Sequence, residues 1–316
     1  MPMNRIQFQP GLSLPEFTRR FAQEAQCAAA LEQARWPNGF RCPRCHSAAH
    51  GRVQGRTRTL FQCRGCRRQT SLIAGTVMQG TKLPLTVWFL AIYLLSQAKT
   101  GLSALALSRQ LGVSYPTAWL LHHKLMQAMT EREQRYRLDG HVQLDDAYLG
   151  GERRGGKAGR GSENKVAFFA AVSLNADGHP LRIRLTPVST FTTEAVTRWA
   201  QASLVPGSSV SSDGLACFRG VTAAGCTHHP TVVAGRKPRE LPAFQWINTV
   251  LGNLKTSLSG CHHALGFRKY ADRYLAAFAY RFNRRFDLAA LPKRLLVAAA
   301  NCAPQPQRII RAEARC

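Results

Sequence analysis

The sequence predicts an α/β protein with a mixed central sheet in its second half, preceded by a small metal-binding module and a helical region. Three observations carry this. Apolar strand-type runs at 142–148, 166–172 and 181–185 follow one another across turn residues, then alternate with helical stretches as far as residue 259. Two Cys-x-x-Cys pairs stand at 42–45 and 63–66, and between these regions residues 81–129 carry apolar side chains at helical spacing.

Leu14 to Gln33 reads as one amphipathic helix, with Pro15 in its first turn and Trp36-Pro37-Asn38-Gly39 stopping it. Seventeen residues then separate Cys42-Pro43-Arg44-Cys45 from Cys63-Arg64-Gly65-Cys66. Two knuckles at that separation supply four thiolates for tetrahedral zinc, and four protein sulfurs leave no open position for chemistry, so a structural Zn²⁺ is expected. His46 is an alternative ligand to one of the four. Cys27, Cys217, Cys226, Cys261, Cys302 and Cys316 lack such pairing and read as core or surface thiols.

From Thr81 the pattern is helical, with Trp88, Phe89, Ile92, Tyr93 and Leu95 crowded together. Gly101 to Met129 then reads as a helix-turn-helix, with Leu111-Gly112-Val113-Ser114 as the turn and Ser114 capping a helix that carries Thr117, Trp119, Leu120 and Leu125. A second helix of this kind enters the major groove in many DNA-binding domains, although a plain helical hairpin has the same pattern. Glu131 to Asp139 is polar and makes a linker.

In the second half, Asn175-Ala176-Asp177-Gly178 is the turn of a three-strand meander. Thr192 caps a helix, Ser208 to Ser212 forms a fourth strand, Leu215 to Ala224 a short helix, Thr231 to Val233 a fifth strand, and Leu241 to Ser259 a long helix. The segments follow as a 1–34 helix, a 35–75 ribbon, a 76–138 helical DNA-binding region, a 139–290 α/β domain and a 291–316 basic tail, poorly ordered from Pro304 onward.

The first strand of the meander ends in Asp145-Asp146 and the fourth in Asp213-Gly214, and strand carboxyl ends are where such sheets keep their sites. Hard cations such as Mg²⁺ bind through one or two carboxylates plus phosphate oxygens, so two aspartates on neighbouring strands suffice to hold one. Strand alternation favours Asp145 over Asp146, which falls on the opposite face with Leu144. Between Gly214 and Tyr270 Glu240 is the sole acid and precedes the helix core, which leaves Asn248 as the helix candidate, with Lys255 seven residues on and on nearly the same face.

The order Asp145, Asp213, Asn248 and Lys255 resembles the DDE signature of bacterial insertion-sequence transposases in its Asp-Asp-Asn-Lys form. With WPNGFRCPRC, FQCRGC, QTSLIAGTVMQGTKLPL, LDDAYLGG, SSDG, INTVLGNLK and YRFNRR, the chain from Arg35 to Phe286 resembles the ISXO-type transposases that carry an N-terminal zinc ribbon. The resemblance implies an RNase H-like catalytic domain that uses Mg²⁺ (or Mn²⁺) to cut transposon ends and join the freed 3′ hydroxyls to target DNA. It implies Asp145, Asp213 and Asn248 as metal ligands and Lys255 as a DNA contact. The alternatives are a non-catalytic zinc-ribbon DNA-binding protein, an inactivated transposase, or a nuclease of the same fold that hydrolyses without joining.

The charge agrees with a polyanionic partner. Against 43 Lys and Arg stand 17 Asp and Glu, a formal +26, and each half of the chain carries +13 (19 against 6, then 24 against 11). The 151–165 loop holds five basic residues, Arg153, Arg154, Lys157, Arg160 and Lys165, among five glycines; it reads as tracking a phosphate backbone, or else as a plain solvated loop. Tyr280 to Arg285 either contacts DNA or packs beneath the sheet. Hydrophobic residues at 45% exclude a disordered tail, and Leu83 to Leu95, the longest apolar run, falls short of the ~20 residues of a membrane span. With no signal peptide visible, a cytoplasmic, nucleoid-associated protein is expected, homo-oligomeric on double-stranded DNA and without a membrane partner.

Overall fold

The computed structural model describes residues 6–55, 59–150, 165–232, 236, 241–262 and 266–312. They form two compact units, one drawn from residues 1–98, 102–128 and 286–311, the other from 99–101, 129–285 and 312–316.

The first unit begins with two helices, α1 (Leu14–Phe21) and α2 (Glu24–Arg35), where the periodicity predicts one. Gln23 breaks them: its backbone is extended (φ −114°, ψ 145°), and it trades side-chain and backbone hydrogen bonds with Gln26 in a reciprocal cap that starts α2. Strands β1 (His50–Gln54), β2 (Thr59–Cys63) and β3 (Gln69–Ser71) form an antiparallel sheet in that order. Phe40 stacks on Phe61 while Trp36 meets both edge-on, so an aromatic cluster supplies the core this small module otherwise lacks.

Helix α3 (Leu85–Gln97) is apolar nearly all round, burying Trp88, Phe89, Ala91, Ile92, Tyr93 and Leu95. A helix hydrophobic on all sides must be covered on all sides. Phe17 of α1 stacks on Tyr93 and Phe21 meets Phe89 at a tilt, and the Glu24 carboxylate of α2 accepts the Leu85 N–H (2.8 Å), satisfying an otherwise orphaned helix donor. The remaining cover comes from the far end of the chain. Residues 291–316, expected as a basic tail, contain α9 (Leu291–Asn301), which packs on α3 and α2 and buries Leu291, Leu295, Leu296 and Ala298 to Ala300. They also contain a short α10 (Gln307–Arg311) that buries Ile310 and sets Arg311 over the Trp119 ring. The tail expectation failed because basic residues mark only the solvent side of these segments. Leu295→Ala is expected to destabilise this unit by about 2–5 kcal/mol, read from urea unfolding followed by tryptophan fluorescence.

Helices α4 (Ala104–Leu111) and α5 (Tyr115–Glu133) flank a turn in which Gly112 has φ +64°, a left-handed position glycine adopts without strain. Ser103 caps α4 by accepting the Ala106 N–H. Leu121 to Met126 are buried without interruption, and the exposed residues of α5 are Tyr115 and Pro116 in its first turn.

The second unit is built on a five-stranded mixed sheet. Strands β4 (His141–Leu149), β5 (Val166–Leu174) and β6 (Pro180–Pro187) form the expected antiparallel meander, and β7 (Ser209–Ser212) and β8 (Thr227–Pro230) add in parallel on the other side of β4, for the order β6-β5-β4-β7-β8. The fifth strand lies earlier than the expected 231–233, because Thr-His-His-Pro carries no apolar alternation for a sequence reading to find. One face of the sheet packs Val142, Leu144, Phe169 and Val210 against Val196, Trp199 and Ala200 of α6 (Thr193–Ser203) and against Phe218 and Val221 of a 3₁₀ segment (Ala216–Ala224). Gly220 permits that closeness, since a Cβ there would lie 2.5 Å from the Thr193 carbonyl oxygen.

Helix α7 (Gln245–Cys261), entered through a 3₁₀ turn at Pro242–Phe244, packs on β4 and β5, and α8 (Phe267–Asn283) packs on β6. The Asn283 amide extends the ladder of β6, accepting the Ile183 N–H (2.7 Å) and donating to its carbonyl (3.0 Å). Tyr280 is fully buried and buried Arg284 pairs with half-buried Glu133, so the Tyr280–Arg285 stretch packs against this unit. None of the described helices is long and apolar enough to cross a membrane.

Candidate active site

Register explains why two distant aspartates meet. Strands β4 and β7 run parallel with Leu144 opposite Ser212, so the next residue on each, Asp145 and Asp213, stands side by side where that pairing stops; the first strand does not end at these acids as expected but runs on beside β5 to Leu149. The carboxylates of Asp145, Asp146 and Asp213 all lie within 4.8 Å of one another. Three carboxylates at that distance fit a hard cation through its oxygen preference. Strand alternation alone places Asp146 on the opposite face from Asp145. Alternation does hold along β4, with Val142 and Leu144 in the α6-side core while Gln143 on the other face accepts the Ile247 N–H of α7 (2.9 Å). Asp146 nevertheless keeps its carboxylate within the acidic group.

Each aspartate is oriented by backbone. Asp145 Oδ1 accepts the Asp146 N–H (2.9 Å), and Asp213 Oδ1 accepts the Leu215 N–H (3.0 Å) across a turn whose Gly214 has φ +85°. Beneath that turn the buried Ser212 hydroxyl meets His228 Nε2 of β8 at 2.8 Å, a pair the sequence reading did not single out. Burial, reinforced by the charge of Asp146, pushes the nearby Cys217 thiol up, so it stays protonated at neutral pH.

Asn248 and Lys255 both lie exposed on α7, and Asn248 directly follows the residue whose N–H reaches Gln143. Lys165 is half-buried at the start of β5, while Arg153, Arg154, Lys157 and Arg160 lie outside the described residues.

In the first unit the sulfurs of Cys42, Cys45, Cys63 and Cys66 lie within 4.8 Å of one another, with Cys42–Cys66 at 3.5 Å and Cys45–Cys63 at 3.4 Å. Tetrahedral Zn–S bonds place sulfurs about 3.8 Å apart, so the donor set fits zinc. The two knuckles are built alike. His46 and Arg67, each following its Cys-x-x-Cys, are left-handed (φ 58° and 60°) and return their N–H to the carbonyls of Cys42 and Cys63. His46 thus closes a knuckle and stands outside the four-sulfur group. Burial opposes ionisation of Cys42, but the N–H groups of Arg44 and Cys45 with the Cys66 and Cys45 thiols outweigh it and bring the thiol down to about 6. Thiolate is the form that binds metal.

Comparison with known proteins agrees with this layout. Residues 137–283 match the ISXO2-like transposase domain and residues 22–69 the transposase zinc-ribbon domain. An uncharacterized protein in transposable element ISH50 of Halobacterium salinarum is 30% identical over 132 residues, 42% of this chain and 44% of the relative. The chain therefore spans under half the length of that relative. A chain in a crystal structure of a pre-cleavage Mos1 transpososome overlaps 64% of this chain and 75% of its own at 11% identity and a TM-score of 0.26, too loosely to establish a shared fold. By the two domain matches, the chain carries a transposase zinc ribbon followed by a transposase domain of the ISXO2-like family.

Proposed function

We propose that this chain is the DNA transposase of an insertion sequence, cutting transposon ends and joining their 3′ hydroxyls to target DNA by divalent-metal-dependent phosphoryl transfer. The observation that carries the reading is the register of β4 on β7, which sets Asp145 and Asp213 together where that pairing stops, inside the matched transposase domain. The strand order, three antiparallel strands extended by two parallel ones, supports an RNase H-like classification.

Asp145 and Asp213 would hold Mg²⁺ (or Mn²⁺), with Asn248 completing the set from α7 through its neutral amide oxygen. When bound, the cation supplies charge neutralisation at the attacked phosphate and lowers the pKa of the attacking hydroxyl. The protein's own part is placement. Backbone N–H groups fix both carboxylates, and Lys255, seven residues beyond Asn248 on an exposed helix face, reaches a DNA phosphate. In joining, the 3′ oxygen forms a bond to a target phosphorus as that phosphorus releases its own 3′ oxygen, so the bond count is unchanged and no external energy source is required.

The +26 charge, the basic residues Arg153, Arg154, Lys157, Arg160 and Lys165, and the exposed first turn of α5 are the features that would meet double-stranded DNA. Acting on two ends calls for at least two protomers, hence a homo-oligomer assembled on DNA in the cytoplasm at the nucleoid. The zinc ribbon, with its donors all sulfur, has a structural role.

The reading is tested with labelled duplexes spanning the DNA that flanks the gene. Mg²⁺-dependent nicking at a fixed position followed by strand joining is expected; binding without cleavage in Mg²⁺ or Mn²⁺ would instead favour a non-catalytic DNA-binding protein. Asn248→Glu, which restores a carboxylate at the third position, is expected to keep cleavage within about threefold of wild type or raise it. Loss of all cleavage in that variant would remove Asn248 from the ligand set.

A further inference from the structure

The acidic group has a support beneath it that the metal-ligand reading does not use. Ser212, immediately before Asp213, is fully buried, and its hydroxyl lies 2.8 Å from His228 Nε2 and 3.4 Å from the Gly214 N–H. The two neighbours of Asp213 are thereby tied to one oxygen atom. A hydroxyl carries one donor and two acceptor sites. If it accepts the Gly214 N–H, its proton is free for Nε2, and the imidazole then carries its own proton on Nδ1. Strand β8 holds the ring in place, since His228 stands opposite Val210 in the parallel ladder, two residues before Ser212 on β7.

We propose that His228, acting through Ser212, positions the Asp213 carboxylate for metal binding. The proposal rests on the two-aspartate reading of the site. His228 is a positioning residue, since the group it meets is the Ser212 hydroxyl. The backbone from Ser212 to Leu215 must turn through a left-handed glycine while keeping the Leu215 N–H on Asp213 Oδ1. With His228 removed, the buried Ser212 hydroxyl keeps the Gly214 N–H but loses its imidazole partner, and the turn loses one of its two anchors. Groups standing behind metal ligands in this way commonly change metal affinity by about 10–100-fold.

The test titrates Mn²⁺ into the full-length, zinc-loaded protein and reads free ion by electron paramagnetic resonance, so it does not depend on turnover. His228→Ala and Ser212→Ala are each expected to weaken Mn²⁺ binding about tenfold, with thermal melting and duplex binding close to wild type. The double variant is expected to be no weaker than either single one, because both remove the same link. His228→Gln, whose amide can meet the hydroxyl, is expected to recover binding to within about threefold, and Ser212→Ala decides the matter if His228→Ala fails to fold. Wild-type Mn²⁺ affinity in Ser212→Ala, or additive losses in the double variant, overturns the proposal. Asp145→Ala and Asp213→Ala are measured alongside: if these too bind Mn²⁺ like wild type, the two-aspartate reading fails; if they lose binding and the His228 and Ser212 variants do not, the positioning role alone fails.

Discussion

Asp145→Ala and Asp213→Ala are each expected to lower Mg²⁺-dependent cleavage by about a thousandfold or more, with duplex binding within about twofold of wild type. The magnitude follows from the placement of the two residues. Each removes a full charge from a cluster whose members lie within 4.8 Å of one another, and losing about 4 kcal/mol of transition-state stabilisation corresponds to that factor. Duplex affinity is insensitive because it is set by the cationic surface, to which one carboxylate among 17 contributes little. Asp146→Ala separates the two adjacent acids. Its carboxylate belongs to the same group but its strand position points to the α6 side, so the expected loss is smaller, about tenfold. Gel-based cleavage and filter binding on the same duplex check all three, and a cleavage rate for Asp213→Ala within tenfold of wild type would sink the metal-site assignment.

The second large effect concerns the ribbon. Cys63→Ser, or removal of zinc by a strong chelator, is expected to unfold the 36–71 module outright, since structural zinc contributes on the order of 10–16 kcal/mol in modules of this kind. Little else holds β1 to β3 together. The module's core is the Trp36, Phe40, His50 and Phe61 cluster, and Arg35 ties it to α2 by donating to the carbonyls of Ser71 and Leu72. Metal content by mass spectrometry should fall from one zinc per chain to none, with loss of the near-ultraviolet circular dichroism contributed by Trp36. A Cys63→Ser protein that keeps both signals would contradict the four-sulfur site.

The parts legible in the sequence were those written by short-range periodicity or spacing. The meander showed because β5 is buried on both faces and reads as an unbroken apolar run, and the four cysteines because metal chemistry fixes their intervals. Asp145 and Asp213 were nameable as carboxylates on two strands that would meet if those strands were neighbours, but that condition, the parallel pairing of β4 with β7 across more than sixty residues, is one that no local pattern encodes. The Ser212–His228 support was invisible for the same reason, and β8 escaped notice because an edge strand of Thr, His and Pro has no apolar face to announce it. The break at Gln23 depends on a reciprocal cap that needs two glutamines in register, which periodicity alone passes over.

The closure of the first unit by α9 has a consequence for how the protein is made. Helix α3 waits for Leu291, Leu295 and Leu296, while some 190 intervening residues are still to be synthesised, roughly 10–40 s of elongation. Throughout that interval the apolar α3 surface is a client for chaperones, whereas the sheet of the second unit has all its strands once Pro230 is made, well before Leu291. A ribosome that stops early therefore releases a chain whose zinc-ribbon unit cannot be completed, so an intact amino-terminal unit certifies that translation ran on to the closing helix.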